Sequence, residues 1–466
     1  MQLYGKMTAA TKSRALEFLK FVNSSPTPYH VTKNLAEYYN SHGFQYLSEK
    51  QELSPSLLKN GKSYYVVRNQ SSIVAFSIGG KWKPGNGFSI IATHTDSPTL
   101  RLKPKSKKSA NGYMQIGVEQ YGGGIWHSWF DRDLSLAGRV LVQEDDGRVV
   151  QRNVHIDRPL VRIPTLAIHL DRSANASFSF NMETEFAPLL GLEQELSKEE
   201  VSEDNEAHHP ALLSLIASEL GSDVSPKSIV DFELILGDYE KARLGGIHEE
   251  FVFSPRLDNQ GMTFSASRSL INSLSENSLE DDPCIRVVAS FDHEEIGSVS
   301  AQGAESNFLL SVLERLSGSM ESYYSSMRSS FLISADMAHA IHPNYSSKYE
   351  STNYAELNKG TVLKINANQR YMTNAHGMAI IKRASQLSKA PIQVFVVRND
   401  SPCGSTIGPK LAAMTGIPTL DLGNPMLSMH SCREMCGTKD FEYSVQLLSA
   451  FFQNFSDMEK HIVIDN

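Results

Sequence analysis

The chain has 466 residues, of which 41% are hydrophobic and 21% charged, with a formal net charge of -8. This length exceeds what one hydrophobic core usually supports, so we expect two domains. The charge balance argues against a nucleic-acid surface, because such surfaces need excess cations to displace counterions from phosphates. We predict no nucleic-acid partner.

The sequence also lacks the patterns of membrane and secreted proteins. No stretch approaches the roughly 18 apolar residues of a membrane span, and the N-terminus shows no signal-peptide pattern. The four cysteines are too few and too scattered for a disulfide framework. We therefore expect a soluble, cytoplasmic protein with reduced thiols and no membrane partner.

The first part of the chain predicts helices followed by strands. Residues 15–22 carry apolar side chains at helical spacing, and a second helix is expected around 31–39. Three strands follow, and the last of them ends in a His-Thr-Asp sequence: 64–67, 73–78 and 88–93.

Residues 97–246 have a different sequence pattern, in which short runs of alternating apolar and polar residues are separated by turns with Gly and Asp. This pattern predicts a β-rich inserted domain, so that 1–96 and 247–466 form the other domain in two parts. Within the insert, 193–206 is acidic and predicts an exposed or partly disordered segment. The one basic cluster, 103–108, is expected to be a solvated loop.

After the insert, apolar runs typical of strands alternate with helical patterns. Alternation of this kind predicts an α/β fold, with a mixed, mainly parallel sheet covered by helices on both faces. The expected strands are 285–291, 331–334, 361–365, 393–397 and 418–422, and the expected helices are 261–274, 307–323, 375–387, 405–415 and 440–452.

In open α/β sheets, ligands bind beyond the carboxyl ends of the strands. His and acidic residues follow several of the predicted strands, and one further Asp lies just before a predicted helix. Together their imidazoles and carboxylates suit zinc, and an Asp with two oxygens can bridge two ions. The residues are His94, Asp96, Asp258, Glu294, Glu295, Asp336 and His430.

Each of these residues also has a structural explanation. A lone His after a strand is often hydrogen-bonded framework, residues 292–295 could be an acidic turn, and Asp258 could cap its helix. Other catalytic templates do not fit: residues 56–63 lack the spaced Gly of a phosphate loop, and position 297 holds Gly where a zincin needs its second His.

Five motifs, in order along nearly the whole chain, resemble those of the aspartyl aminopeptidases, which are di-zinc exopeptidases. They are His-Thr-Asp-Ser-Pro (94–98), Ser-Pro-Arg-Leu-Asp-Asn (254–259), Phe-Asp-His-Glu-Glu-Ile-Gly-Ser (291–298), Ser-Ala-Asp-Met-Ala-His-Ala-Ile-His-Pro (334–343) and Ser-Met-His-Ser-Cys-Arg-Glu (428–434).

The resemblance implies hydrolysis of an N-terminal Asp, then Glu, from peptides, with two Zn²⁺ ions per subunit. It implies that Asp258 bridges the ions, with His94 and Asp336 completing one site and Glu295 and His430 the other. One of the sites could exchange its zinc for Mn²⁺ or Co²⁺.

Further roles follow from the same resemblance. Glu294 would be the general base, and Asp96 would accept the second ring N–H of His94 and fix its tautomer. The predicted substrate-binding residues are His169, His339, Lys364 and Tyr371. Lys364 would supply the fixed cation that a buried pocket for a substrate carboxylate needs, and the alternative for Lys364 is a salt bridge to a neighbouring carboxylate, such as a metal ligand.

The resemblance also implies a zinc-exopeptidase fold whose insert mediates dimerisation, with dimers assembling into a tetrahedral dodecamer. His169 would then reach a neighbouring subunit's site. Two other hypotheses stay open: a di-zinc peptidase or deacylase of another specificity, and a non-catalytic assembly or cargo-binding protein on the same fold.

Overall fold

The computed structural model describes residues 8–53, 57–196, 207–275 and 278–464. The helices of these residues are α1 (Ala9–Asn23), α2 (Pro28–Ser41), α3 (Pro210–Leu220), α4 (Leu257–Asn272), α5 (Phe308–Ser317), α6 (Met320–Arg328), α7 (Ala375–Ser388), α8 (Ile407–Thr415) and α9 (Asp440–Lys460).

The strands of the same residues are β1 (Gln45–Leu47), β2 (Ser63–Arg68), β3 (Ser72–Ile78), β4 (Phe88–His94), β5 (Thr99–Ala110), β6 (Tyr113–Tyr121), β7 (Leu134–Gln143), β8 (Val149–Val161), β9 (Leu189–Leu192), β10 (Ile229–Asp238), β11 (Arg243–Gly245), β12 (Phe251–Ser254), β13 (Ile285–Phe291), β14 (Phe331–Ala335), β15 (Ala338–His339), β16 (Thr361–Ile365), β17 (Ile392–Val396), β18 (Thr419–Gly423), β19 (Pro425–Leu427) and β20 (Glu434–Gly437).

The chain forms two compact units. The first comprises Met1–Asp96, Ala242–Met429 and Glu434–Asn466, and the second comprises Ser97–Lys241 and His430–Arg433. The predicted insert, 97–246, starts at the same residue as the second unit and ends five residues later than Lys241.

A nine-stranded sheet forms the centre of the first unit, in the order β1-β2-β3-β13-β4-β14-β18-β16-β17. Neighbours from β13 to β18 are parallel, whereas β3 and β16 join this central part antiparallel. The prediction of a mixed, mainly parallel sheet is therefore confirmed. A smaller sheet of the same unit has the order β11-β12-β20-β19-β15.

Helices cover both faces of the central sheet, as alternate residues of its strands reveal. On β4, Ile91 belongs to the apolar core that also contains α1 and α9, whereas its neighbour Ile90 belongs to the core that contains α5 and α8. On β13, Val288 belongs to the first of these cores and its neighbour Val287 to the second. Strands buried on both faces are continuously apolar, which is why this segment could be predicted.

One predicted helix, 307–323, is wrong in its extent, because two helices occupy this part of the chain. α5 ends at Gly318, which takes a left-handed conformation with φ 77°, and Ser319 caps α6 by accepting a hydrogen bond from the Ser322 N–H. The Gly-Ser pair therefore ends one helix and starts the next.

The second unit contains a six-stranded antiparallel sheet in the order β8-β7-β10-β5-β6-β9. The basic cluster 103–108 lies in β5 and not in a loop. Lys107 and Lys108 pair with β6, the residues between Leu102 and Lys107 form an irregularity in the pairing, and Ser106 is fully buried. Of the acidic segment 193–206, the structure describes only the first four residues, and 197–206 lie outside the described part of the chain.

Residues 430–433 belong to the second unit and not, as predicted, to the domain of 247–466. Their hydrogen bonds give the reason: the Ile125 N–H donates to the His430 carbonyl, and the Arg433 guanidinium donates to Asp238 at 3.0 Å. Within the ranges that the structure describes, no helix is long and apolar enough to cross a membrane.

Candidate metal and active site

The candidate site lies at the carboxyl ends of three neighbouring strands of the central sheet. β4 ends at His94, which pairs in register with Phe291 at the end of β13, and Asp336 directly follows β14. After β13 the chain turns sharply, because His293 adopts a φ of 65° and Gly297 a φ of 101°. This turn places Glu294 and Glu295 in a short 3-10 helix immediately beyond the sheet.

His94 is the centre of this group of side chains. It is 1% exposed, and its Nδ1 donates a hydrogen bond to the Asp96 carbonyl at 3.0 Å. With Nδ1 held in this way, the other ring nitrogen, Nε2, faces three carboxylates. It lies 3.4 Å from Asp258 Oδ1, 3.8 Å from Glu294 Oε2 and 3.9 Å from Asp336 Oδ1. The accepting nitrogen of a neutral His94 thus faces the place where a cation would bind.

The Asp96 carboxylate has a second contact that the sequence did not reveal. Its Oδ1 lies 3.3 Å from His94 Nδ1, so the carboxylate shares the ring N–H with the Asp96 carbonyl, which is nearer at 3.0 Å. The two carboxylate oxygens accept the backbone N–H groups of Glu294 and Glu295 at 3.1 and 3.0 Å. Asp96 therefore fixes the His94 ring and the Glu294-Glu295 turn together.

Two groups of side chains in the described residues bring metal-ligating atoms within 4.8 Å of one another. One consists of His94, Glu294 and Asp336, and the other of His94, Asp258 and Glu295. Such a combination of imidazole and carboxylate ligands is typical of zinc sites. The residues present therefore fit a divalent cation such as zinc beside His94.

The pKa values of these groups record how strongly their negative charges interact. Burial lowers the pKa of His94, but Glu294, Asp258 and Asp96 outweigh burial and raise it well above 6.5. Burial, together with Asp258 and Glu294, raises the pKa of Asp336 to about 8 against the opposing effect of Lys364. A bound cation would stabilise the ionised carboxylates that this cluster otherwise disfavours.

Asp258 is held at the cluster by its backbone. Its N–H donates to Glu434 Oε2 at 3.2 Å, and the side chain is buried. Within the range of α4, Asp258 has a non-helical backbone with φ -83° and ψ 108°, so it lies at a kink that precedes the regular part of the helix.

Three of the predicted substrate-binding residues lie beside the cluster. Lys364, on β16, is 3% exposed, and its Nζ lies 3.8 Å from Asp336 Oδ1 and 5.4 Å from the centroid of the Tyr371 ring. Tyr371 packs with Phe395 in a small apolar core, and the exposed His339 ring lies 5.8 Å from the Phe395 ring. A buried lysine therefore borders both the cluster and an aromatic wall.

The other two predicted histidines belong to the second unit. His430 Nδ1 donates to the Gly123 carbonyl at 3.0 Å, and neither of the two metal-ligating groups found in the described residues contains His430. His169 is exposed, in a segment without regular secondary structure.

Sequence reasoning missed two residues that contact this region. Cys403 packs against the apolar core that contains Tyr371, and burial, together with Cys403, raises the pKa of the Tyr371 hydroxyl. Asp421, fully buried in β18, accepts the Met372 N–H at 2.6 Å. In the sequence, the sign of a role for Asp421 was that a charged residue stands within the predicted apolar strand 418–422.

With the geometry described, the class of protein can be stated. Residues 21–452 match the model of the aminopeptidase I zinc metalloprotease family (M18). The chain belongs to this family of aminopeptidases, and the resemblance inferred from the five motifs is confirmed. The chain is accordingly a peptide hydrolase of the metallopeptidase class.

Its relatives are specific enzymes of this class. The chain is 72% identical to aspartyl aminopeptidase 1 of Schizosaccharomyces pombe over 100% of both chains, and 50% identical to aspartyl aminopeptidase of Aspergillus oryzae over 99% of both.

Solved structures agree with this assignment. The structure of Ape4 in its complex with Nbr1 matches with a TM-score of 0.97 and 71% identity, over 100% of this chain and 90% of that one. The dodecamer of mApe1 from Saccharomyces cerevisiae matches with a TM-score of 0.85 and 30% identity, over 97% and 99%.

Proposed function

We propose that this protein removes an N-terminal Asp, and less readily Glu, from peptides, with two zinc ions and Glu294 as general base. The observation that carries the proposal is the buried His94 ring, whose Nε2 faces three carboxylates within 3.9 Å. The printed names of the relatives support the preference for an acidic residue.

In this proposal Asp258 bridges the two ions, His94 and Asp336 complete one site, and Glu295 and His430 complete the other. The grouping of His94, Asp258 and Glu295 supports a bridging Asp258, because it places Asp258 together with His94 of one proposed site and Glu295 of the other. When bound, zinc would polarise the scissile carbonyl and lower the pKa of a water molecule. Mn²⁺ or Co²⁺ could replace one zinc, since carboxylate-rich sites accept several divalent ions.

Glu294 would take a proton from the attacking water and pass it to the leaving amine. Two features support this role. Asp96 holds the Glu294 N–H, which limits the positions that the carboxylate can reach. Burial also raises the pKa of Glu294, and Asp96 and Asp258 add to this against His94, which makes Glu294 a stronger proton acceptor.

The acidic preference would come from Lys364, whose buried ammonium can pair with a substrate carboxylate. Lys364 lies beside Asp336, which the proposal assigns to one of the metal sites. A substrate side chain that pairs with Lys364 would therefore belong to the residue next to the scissile bond, which supports this role. Tyr371 and His339 would form the walls of this pocket. His169 would contribute from a neighbouring subunit.

The assembly would be a tetrahedral dodecamer built from dimers, with the second unit as the dimerisation domain. Two observations support this proposal: a relative is known as a dodecamer, and the segment around His169 exposes apolar side chains that a subunit contact could cover. These side chains are Leu166, Ile168 and Leu170, with exposures of 59%, 43% and 75%. A cytoplasmic location stays a prediction.

The test is an assay of the purified protein on Asp, Glu, Leu and Arg aminoacyl substrates, before and after chelation. We expect hydrolysis of Asp and then Glu substrates, lost on chelation and restored by zinc. Faster hydrolysis of the Leu or Arg substrate would favour a di-zinc peptidase of another specificity. A protein that binds zinc and assembles, yet hydrolyses none of the four, would contradict the proposal.

A further inference from the structure

The pocket wall beside Lys364 is built from two chain segments that are distant in sequence. One is the segment after β16, which contains Tyr371, and the other precedes α8 and contains Cys403. Two contacts join them directly: Cys403 packs against the apolar core that contains Tyr371, and Ser405 Oγ donates to the Arg370 carbonyl at 3.2 Å.

Asp421 lies beneath both segments, on the central strand β18. Its Oδ2 accepts the N–H of Met372, the residue after Tyr371, at 2.6 Å. Its Oδ1 accepts the hydroxyl of Thr406, three residues after Cys403, at 2.5 Å. The two oxygens of one carboxylate thus accept hydrogen bonds from two different segments.

The surroundings of Asp421 allow it little freedom. The side chain is fully buried, and its backbone N–H and carbonyl are both bonded to the Thr373 hydroxyl at 3.1 Å. A Cβ added at Gly408 would lie 2.6 Å from both carboxylate oxygens, so only glycine leaves room there. A carboxylate fixed in this way can transmit its position to both segments.

We propose that Asp421 is a positioning residue for substrate selection, whose carboxylate joins the Tyr371 and Cys403 segments and so fixes the wall against which Lys364 lies. Asp421 does not touch the metal-ligating cluster in this account. It acts through Tyr371, and its effect on acidic substrates rests on the proposed function of the pocket.

The test uses Asp421→Asn, because the amide presents one oxygen where the carboxylate presents two and so cannot accept from both donors. Thr406→Val removes one donor, together with the acceptor of the Gly408 N–H at the start of α8, and Thr406→Ser keeps both. The matched control is Asp440→Asn, since Asp440 is also fully buried and accepts two backbone N–H groups, from Asn358 and Gly360.

The first readout is independent of catalysis. Cys403 is half-buried whereas the other three cysteines are buried, so iodoacetamide labelling measured peptide by peptide reports on the wall. Asp421→Asn and Thr406→Val should raise the labelling rate of Cys403 about tenfold, because each loses a buried hydrogen bond that closes the wall. Thr406→Ser and Asp440→Asn should label at the wild-type rate.

The second readout is the ratio of kcat/KM for Asp and Leu substrates. Asp421→Asn and Thr406→Val should lower this ratio, mainly through a higher KM for the Asp substrate, while zinc content stays at the wild-type value. Unchanged Cys403 labelling in both variants would overturn the proposal, and so would an equal increase in Asp440→Asn. Faster labelling with an unchanged ratio would overturn the role in selection.

The two proposals can fail separately. If the wild-type protein had no preference for acidic residues, the proposed function would fail. The labelling rates of the same variants would still decide whether Asp421 joins the two segments.

Discussion

The first unit buries two kinds of carboxylate, and their neighbours differ. Asp421 and Asp440 each accept hydrogen bonds from two donors that belong to the framework. Asp336 and Glu294, in contrast, face His94 and other carboxylates. The first kind joins chain segments, whereas the second concentrates negative charge that a cation can neutralise. A buried acid is thus informative only together with the groups that surround it.

The largest effect is expected from removal of Asp258, the ligand that the proposal assigns to both metal ions. Asp258→Ala should lose both metal ions and lower turnover by about 1,000-fold or more, because the ions supply several kcal/mol of transition-state stabilisation. Metal analysis and kinetics on the purified variant check this. Asp440→Asn, which removes a carboxylate of the other kind, should keep its zinc. Two tightly bound ions in the Asp258→Ala variant would contradict the bridging role.

Lys364 tests whether the cation beside the cluster serves the substrate. Lys364→Met should lower the preference for Asp over Leu by about 100-fold, since a substrate carboxylate would be buried without its partner, and Leu turnover should be kept. Kinetics on both substrates measure this, with Lys364→Arg as the variant that keeps the charge. An equal fall for both substrates would mean that Lys364 serves the metal centre, and His169 or Arg370 would then be the next candidate for acidic selectivity.

A substitution at His169 tests whether the second unit contributes to catalysis. His169→Ala should slow catalysis by about tenfold, the lower range for loss of a polar contact to substrate, without changing the assembly. Leu170→Asp, which charges an exposed apolar side chain of the proposed interface, should lower activity and dissociate the assembly. Sedimentation velocity with parallel assays separates the two effects. A fully active monomer would contradict the role of the insert.

Asp440 gives the smallest effect. Burial raises its pKa to about 7 from an ordinary value of 3.8, although the N–H groups of Asn358 and Gly360 oppose this. The folded protein therefore binds more protons than the unfolded chain between about pH 4 and 7, and the free energy of unfolding should fall as the pH rises through this window. In Asp440→Asn this contribution is absent, so the decline in urea denaturation should be shallower. Parallel declines would contradict the assignment.

The sequence predicted those features that depend on local pattern. The strands 88–93 and 285–291 are mainly apolar because helices cover both of their faces, and the polar residues that follow them lie together because the two strands are parallel. The basic segment 103–108 was predicted wrongly as a loop, since it belongs to β5, where an irregularity interrupts the pairing with β6 between Leu102 and Lys107 and the lysines stay partly or fully exposed.

Features that depend on distant partners could not be predicted. The donors to Asp421 lie 49 and 15 residues away in sequence, so no local pattern marks its role. Residues 430–433 join the second unit although the chain on both sides belongs to the first, and only their hydrogen bonds to distant residues explain this. Asp96 was singled out from its position after a predicted strand, but its bonds to Glu294 and Glu295 required the structure.

The central claim, that the cluster holds two zinc ions with Glu294 as the base and Glu295 as a ligand, is tested most directly by comparing Glu294→Gln with Glu295→Gln. Zinc per chain and turnover are measured on both purified variants. Glu294→Gln should keep both ions and lose about 100- to 10,000-fold in kcat, because the amide keeps the shape but cannot accept a proton. Glu295→Gln should lose zinc from one site. If Glu294→Gln lost zinc and Glu295→Gln kept it, the grouping of Glu294 with His94 and Asp336 would be a ligand set, and the roles of the two glutamates would be exchanged.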